Sequence, residues 1–318
     1  MEKNIVLTGG TGFIGSHLTE NLLKKNKNVL LFKRSFSNIN NILNLQKKFS
    51  NLKLINIDLI NIPEIFETYN IEGVIHLAAY AQRSHNYEGI SQMIDSNIKF
   101  PSKLLENIVN SSAKYFINTG SFSEYDLNKS PISEQTKIKP FNFYASTKIS
   151  FENILKFYHN QYDLNCLTLK LFTPYGPKDD EKKITPYLII NALKQNKIII
   201  KSSQKELDFI YIDDIINAYE KALIKINRFK KYESFNIGTG TPHSIPDVLN
   251  YIEKILNIET EKELFELEND KVWCSNYKAF KYLNWKPTTN LKQGLQLTID
   301  YYKNKYKINT NNLGNKYD

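Results

Sequence analysis

Cysteine is scarce: Cys166 and Cys274 are the two in 318 residues, and they lie far apart. That excludes a disulfide framework and a thiolate metal site, and points away from an oxidising compartment. Histidine is scarce too, and His17, His76, His85, His159 and His243 show no metal-ligand spacing, so no metal is expected. No run of about 18 apolar residues is present, so no membrane span is expected. A strand-like run begins within a few residues of the start, leaving no room for a leader peptide. These absences make a cytoplasmic protein the expectation.

Acidic residues are outnumbered, 33 against 42 basic ones, for a net charge of +9. The lysines are scattered rather than gathered into a stripe, which argues against a nucleic-acid partner and leaves an anionic small molecule as the better use of the field. Apolar residues at 41% and aromatics at 13% exclude disorder over most of the length.

The most informative segment present is Thr8-Gly9-Gly10-Thr11-Gly12-Phe13-Ile14-Gly15. It follows the apolar run Ile5-Val6-Leu7 and precedes an amphipathic helical pattern. Gly9, Gly12 and Gly15 therefore fall where a parallel strand turns into a helix, where the chain must turn tightly and let its backbone approach a pyrophosphate. The helix N-terminus adds free N–H groups and a positive dipole end. Phe13 and Ile14 complete this cofactor-binding turn.

Strand patterns at 4–7, 29–32, 52–57, 73–78, 114–118 and 166–172 alternate with helical patterns at 15–25, 92–110 and 144–162. This predicts an α/β fold, a Rossmann-type doubly wound parallel sheet with a smaller C-terminal substrate-binding lobe. Residues 1–172 are expected to form the dinucleotide-binding domain, with 208–237 returning to it. Residues 173–207 and 238–303 would form the lobe, with helices at 186–194, 245–256 and 278–283, while a short strand at 235–237 ends the returning segment. The polar stretch 304–318 is expected to fray.

The second strand ends in Lys33-Arg34-Ser35, two cations and a hydroxyl at a place where a carboxylate would favour NAD. Arg34 can grip a 2′-phosphate and stack on adenine, and Ser35 can donate to the same phosphate. NADPH is the expected cofactor, with NAD possible. Tyr144-Ala145-Ser146-Thr147-Lys148 places Tyr144 and Lys148 four apart, on one face of a helix. A neighbouring ammonium favours the phenolate, so the tyrosine is expected to exchange a proton near neutral pH.

With Asp58-Leu59, His76-Leu77-Ala78-Ala79, Asn97, Ser121, Tyr175-Gly176-Pro177, Asp208 to Asp214 and Phe235-Asn236-Ile237-Gly238, the chain resembles the extended short-chain dehydrogenases/reductases. Within them it resembles the NAD-dependent epimerase/dehydratase family that acts on nucleotide sugars, and in particular the 4-ketoreductases of the abequose and paratose synthase type. The resemblance runs from residue 3 to about 295. It implies that Tyr144 is the general acid/base and that Lys148 binds the nicotinamide ribose and lowers the tyrosine's pKa. It gives Ser121 the hydrogen bond to the substrate oxygen, with Ser123 and Thr119 as competing choices. Asp58 and Leu59 would contact the adenine, and Ala78 and Ala79 would line the cofactor.

The departures matter too. Phe122 and Ser123 stand where the family's dehydratases carry an Asp-Glu pair, so a 4,6-dehydratase is not expected. Leu207 replaces a diphosphate-binding Arg, no second such Arg is visible near 262–270, and the Thr173-Pro174 pair replaces a substrate-contacting Asn. Lys178, Lys183 or Lys205 are the candidate point charges in place of the arginines, with the substrate's diphosphate expected near Lys178, Lys183 and Thr185; Ser123 and Thr173 are the other substrate-binding candidates. The apolar positions Ile149 and Phe157 of the Tyr144 helix read as core, and the resemblance implies a homodimer. The leading expectation is reduction of a 4-keto-6-deoxy nucleotide sugar. A nucleotide-sugar 4-epimerase with bound NAD, and a non-catalytic NADP-binding module, are the alternatives.

Overall fold

A computed structural model describes residues 2–81, 86–267 and 269–308. The chain opens with β1 (Asn4–Thr8), α1 (Phe13–Lys24), β2 (Asn28–Lys33), α2 (Leu43–Lys48), β3 (Leu52–Asn56), α3 (Ile62–Thr68) and β4 (Ile71–His76). It continues with α4 (Tyr87–Ile94), α5 (Phe100–Val109), β5 (Tyr115–Ser121), α6 (Phe143–Tyr162) and β6 (Asn165–Leu171). Next come β7 (Thr173–Tyr175), α7 (Ile184–Lys194), β8 (Ile198–Ile200), β9 (Glu206–Tyr211) and α8 (Ile212–Lys225). Last are β10 (Glu233–Ile237), β11 (Pro242–Ser244), α9 (Ile245–Leu256), β12 (Lys262–Leu264), β13 (Lys271–Val272) and α10 (Leu291–Tyr306).

Seven strands form one parallel sheet in the order β10-β6-β5-β4-β1-β2-β3. Such a sheet is covered on both faces, so its strands read as unbroken apolar runs. Ile5, Val6 and Leu7 of β1 are all buried, with Ile5 and Leu7 on one face and Val6 packing on the other. Strand order reverses between β1 and β4, and ligands of such sheets bind in the crevice beyond the strand ends at that reversal. The fold is thus the expected Rossmann-type α/β architecture.

A second, smaller set of strands surrounds β9, which pairs with β7 and β13 in parallel and with β11 antiparallel; β8 pairs with β12. Helices α7, α9 and α10 pack together beside it, while α8 lies on α1. Residues 208–211 therefore pair in the small sheet, and the chain returns to the large one through α8 and β10.

Several expectations need correction. The helix placed at 92–110 begins at Tyr87 and carries a π-helical stretch, Asp95–Lys99, between α4 and α5. Helices α8 and α10 and strand β9 were not anticipated. Residues 304–306 belong to α10, which ends at Lys307 in the left-handed region; 309–318 lie outside the described residues, as does His85. Phe157 is 54% exposed rather than core. The buried stripe of α6 runs instead through Ala145, Lys148, Phe151, Glu152, Leu155 and His159.

Candidate active site

The glycine turn is built by exclusion. Gly9 has φ +70°, and a Cβ there would lie 2.6 Å from Ala78 N. At Gly15 a Cβ would meet Gly9 O at 2.1 Å, whereas at Gly12 the nearest atom would be Gly9 O at 3.4 Å. The turn is closed beneath Gly9 and Gly15 and open above Gly12. Gly12 caps α1 with no side-chain hydrogen bond to the helix, so first-turn N–H groups face that open side. This backbone-lined cradle fits the pyrophosphate of a dinucleotide. Phe13 and Ile14 are half-buried beside it, and the half-buried Ala78 and exposed Ala79 follow β4 across the crevice. Ala78 N–H donates to Thr8 Oγ1 at 3.2 Å, tying the two central strand ends together.

At the end of β2, Arg34 is exposed, donates to Ser96 Oγ at 2.9 Å and lies over the Phe36 ring at 5.7 Å. Ser35 is already engaged. Its N–H and hydroxyl donate to Asp58 at 2.8 and 2.6 Å, and these bonds hold the Asp58 carboxyl below its usual pKa. The hydroxyl proton expected to meet a 2′-phosphate is thus spent on a carboxylate. Leu59 is 70% exposed next to it.

Helix α6 starts at an Asn142 cap, whose Oδ1 accepts from Ala145 N–H at 2.9 Å. The cap places Tyr144 in the first turn and Lys148 one turn deeper. Tyr144 is half-buried, while Lys148 is 3% exposed. The expected lowering of the tyrosine's pKa is not found. Burial pushes the phenol above its ordinary value and the Glu124 carboxylate pushes it further. Burial also lowers Lys148, to about 8, with Glu124 and Glu152 holding it up and Lys170 pressing it down. The pair is thus a protonated phenol above a weakened ammonium.

Ser121 ends β5. Its hydroxyl pairs with Ser123 Oγ at 2.9 Å, and its N–H donates to Glu124 Oε1 at 2.7 Å. Ser123 is 8% exposed, which leaves Ser121 the more open hydroxyl. Thr119 is committed elsewhere: its hydroxyl donates to His76 O at 2.8 Å and pairs with Tyr219 OH at 2.6 Å. It therefore has no proton left for a substrate oxygen. His76 is fully buried with Nδ1 2.7 Å from Thr8 Oγ1, and burial, then Lys148, keep it well below its usual pKa.

Three contributors went unassigned from sequence. Asn97, buried in the π-helical stretch, accepts from Tyr80 N–H at 2.8 Å and donates to Thr147 Oγ1 at 2.9 Å, joining the β4 loop to α6. A π turn inside a helix is a common mark of a functional site, but it has no simple sequence pattern. Glu124 and Lys170 form a buried ion pair at 2.7 Å. A lysine inside the apolar run of β6 was the one available signal.

The second-lobe candidates divide. Thr173 is half-buried at the start of β7. Lys178, at φ +69°, donates to Asn41 O at 3.4 Å. Lys183 is bound to Asp179 at 3.1 Å and lies over the Phe13 ring at 5.7 Å. Both lysines therefore sit against the glycine turn rather than deep in the lobe. Thr185 is 2% exposed and is packed inside, so it cannot meet a substrate as expected.

A sequence profile of the NAD dependent epimerase/dehydratase family matches residues 5–238. The chain belongs to this family. Among relatives, it is 29% identical over 310 residues to the CDP-abequose synthase of Salmonella typhimurium, covering 93% of this chain and 97% of that protein. It is 31% identical to the UDP-glucuronate 4-epimerase of Thermodesulfobacterium geofontis, covering 95% and 97%. A solved structure of UDP-glucuronic acid 4-epimerase from Bacillus cereus, in complex with UDP-glucuronic acid and NAD, superposes with a TM-score of 0.85 at 29% identity, covering 95% of this chain and all of that one. The chain is thus an enzyme of the NAD dependent epimerase/dehydratase family, with relatives that carry both synthase and epimerase names. Among the described residues no helix is long and apolar enough to cross a membrane.

Proposed function

We propose that the protein reduces the ketone of a 4-keto-6-deoxy nucleotide sugar with NADPH, in deoxysugar synthesis of the kind served by CDP-abequose synthase. The observation that carries this reading is the end of β2, where Lys33 and Arg34 offer cations to a 2′-phosphate. The reduced nicotinamide, when bound, supplies the hydride. Tyr144, held protonated by burial, donates its proton to the oxygen as negative charge develops. Ser121 donates a second hydrogen bond to the same oxygen. Lys148 stabilises the phenolate left behind and holds the nicotinamide ribose. Thr173 and Ser123 border the sugar, while Lys178 and Lys183, which sit against the glycine turn, add positive charge on the cofactor side of the crevice.

A specific observation favours a second reading. Asp58 on Ser35 places a negative charge where a 2′-phosphate would lie, which suits NAD and a 4-epimerase that recycles its hydride. The deciding experiment incubates purified protein with NADPH and a panel of CDP-, UDP- and dTDP-linked 4-keto-6-deoxyhexoses, following absorbance of the reduced nicotinamide. Stoichiometric oxidation supports the reductase. Protein that purifies with NAD and interconverts two epimers without net consumption overturns it.

We also propose a homodimer through the outer face of α4 and α6, where Phe157 and Tyr162 are more than half exposed. Sedimentation as a 37.1 kDa monomer would exclude it.

A further inference from the structure

Four ionisable side chains are buried together below Ser121 and Tyr144. Glu124 is fully buried, Lys170 is 1% exposed, Lys148 3% and Glu152 4%. Lys170 Nζ reaches Glu124 Oε2 at 2.7 Å and Glu152 Oε2 at 2.9 Å, and lies 4.7 Å from the centre of the Tyr125 ring. The other oxygen of Glu124 accepts the N–H of Ser121 at 2.7 Å. Glu152 lies on α6, one turn beyond Lys148. A single buried ammonium therefore joins the strand end that carries Ser121 to the helix that carries Tyr144 and Lys148.

Space has been left for this arrangement. Gly120 pairs with Lys170 across β5 and β6. A Cβ at Gly120 would lie 2.9 Å from Lys170 Cγ and 3.1 Å from Glu124 Oε1. Burying charges costs far more than an apolar packing of the same volume, so stability alone does not explain two carboxylates and two ammoniums here.

We propose that Lys170 is a positioning residue, clamping Glu124 beneath Ser121 to Glu152 on α6 and so setting the relative placement of Ser121, Tyr144 and Lys148. The proposal rests on the reading that Ser121 and Tyr144 hold the substrate's carbonyl oxygen. Misplacing such a pair by a fraction of its spacing costs turnover rather than binding.

The same clamp sets the field at Lys148. Its charged and titratable neighbours are Glu124 beyond β5, Glu152 and Tyr144 on α6, Lys170 on β6 and His76 on β4, with Lys156 paired to the outer oxygen of Glu152 at 2.9 Å. Lys170 presses on the charge of Lys148 directly while keeping Glu124 and Glu152 ionised, so its removal acts on Lys148 in two opposing ways. Removing the charge of Glu124 lowers the pKa of Lys148, because an opposite charge is lost.

The test compares Lys170→Met, Lys170→Arg and Glu124→Gln with Tyr144→Phe and Ser121→Ala. It measures kcat, KM, NADPH affinity and the pH profile on whichever panel sugar the native protein reduces. Lys170→Met should lower kcat about 10-fold or more with KM and NADPH affinity within about twofold, and Lys170→Arg should restore most of the loss. Glu124→Gln, which keeps an acceptor for Ser121 N–H and serves should Lys170→Met fail to fold, should move the alkaline limb of kcat down by about one pH unit. NMR titration of the Lys148 side chain, which needs no substrate, should show the same downward displacement in Glu124→Gln. Unchanged kcat in a folded Lys170→Met, or a Lys148 titration unmoved in Glu124→Gln, overturns the proposal. Normal turnover in Tyr144→Phe and Ser121→Ala instead overturns the reading beneath it.

Discussion

Tyr144 and Lys148 illustrate how a spacing acquires chemistry only from its surroundings. Four residues apart on a helix, they share a face in any sequence. Burial moves the phenol further from ionisation and weakens the ammonium. Tyr144→Phe keeps the ring and removes the proton, so kcat should fall about 10²-fold or more with NADPH affinity nearly unchanged, as read by steady-state kinetics and cofactor titration. Ser121→Ala removes one donor to the developing charge, a loss of about 2.7–4 kcal/mol in comparable sites. A pH series separates activity from stability. Lys148 falls from its ordinary 10.5 to about 8 in the fold, so turnover that needs the ammonium should decline as pH rises through about 8. Between those two values the unfolded chain binds more protons at this residue than the native one does. Its contribution to stability therefore rises with pH over that window. Thermal melts beside kcat measurements should show activity falling without loss of folded protein from this group.

Among the elements, the β1–α1 turn is the one whose parts can be tested separately. A methyl at Gly15 would sit 2.1 Å from Gly9 O, a backbone atom that cannot move aside cheaply. Gly15→Ala should cost about 1–3 kcal/mol of stability through overpacking and lower the melting temperature. Gly12 has ordinary φ −78° and open space above it. Gly12→Ala should therefore leave the melt unchanged while weakening cofactor binding, as followed by quenching of nicotinamide fluorescence. Equal effects of both substitutions on the melt would mean that the open face is not a ligand cradle. The glycines themselves were legible in the sequence. Which of them holds the fold and which faces the ligand was not, because that depends on Ala78 and Gly9 approaching from outside the local segment.

At the scale of the whole molecule, the proposed cofactor choice rests on groups brought together from distant parts of the chain. Arg34 comes from the end of β2, Asp58 from beyond β3 and Ser96 from the helix after β4. Arg34→Asp should reverse a preference for NADPH over NADH, measured as the ratio of kcat/KM values; equal use of both cofactors by the native protein would refute the reading of that strand end. The second lobe depends on similar long-range ties. Asp214 in α8 accepts Thr288 N–H and Thr289 N–H at 2.8 and 3.0 Å, fixing the approach to α10 against the sheet domain.

The sequence alone determined the strand-turn-helix at the start, the parallel sheet and the Tyr144/Lys148 helix. Each is encoded by local periodicity and by residues whose backbone freedom or spacing has few other uses. It missed α8 and α10, and it took Phe157 for core, because apolar spacing does not say which side of a helix another element will cover. Only the tertiary structure set Asp58 against Ser35 and committed Thr119 to His76 and Tyr219. It also buried Thr185 and joined Glu124, Lys170 and Glu152 beneath the site. Those partners lie 23, 43, 100, 46 and 18 residues apart in the pairs Ser35–Asp58, Thr119–His76, Thr119–Tyr219, Glu124–Lys170 and Glu152–Lys170, and hydrogen bonds and ion pairs over such separations leave no periodic trace in a single chain.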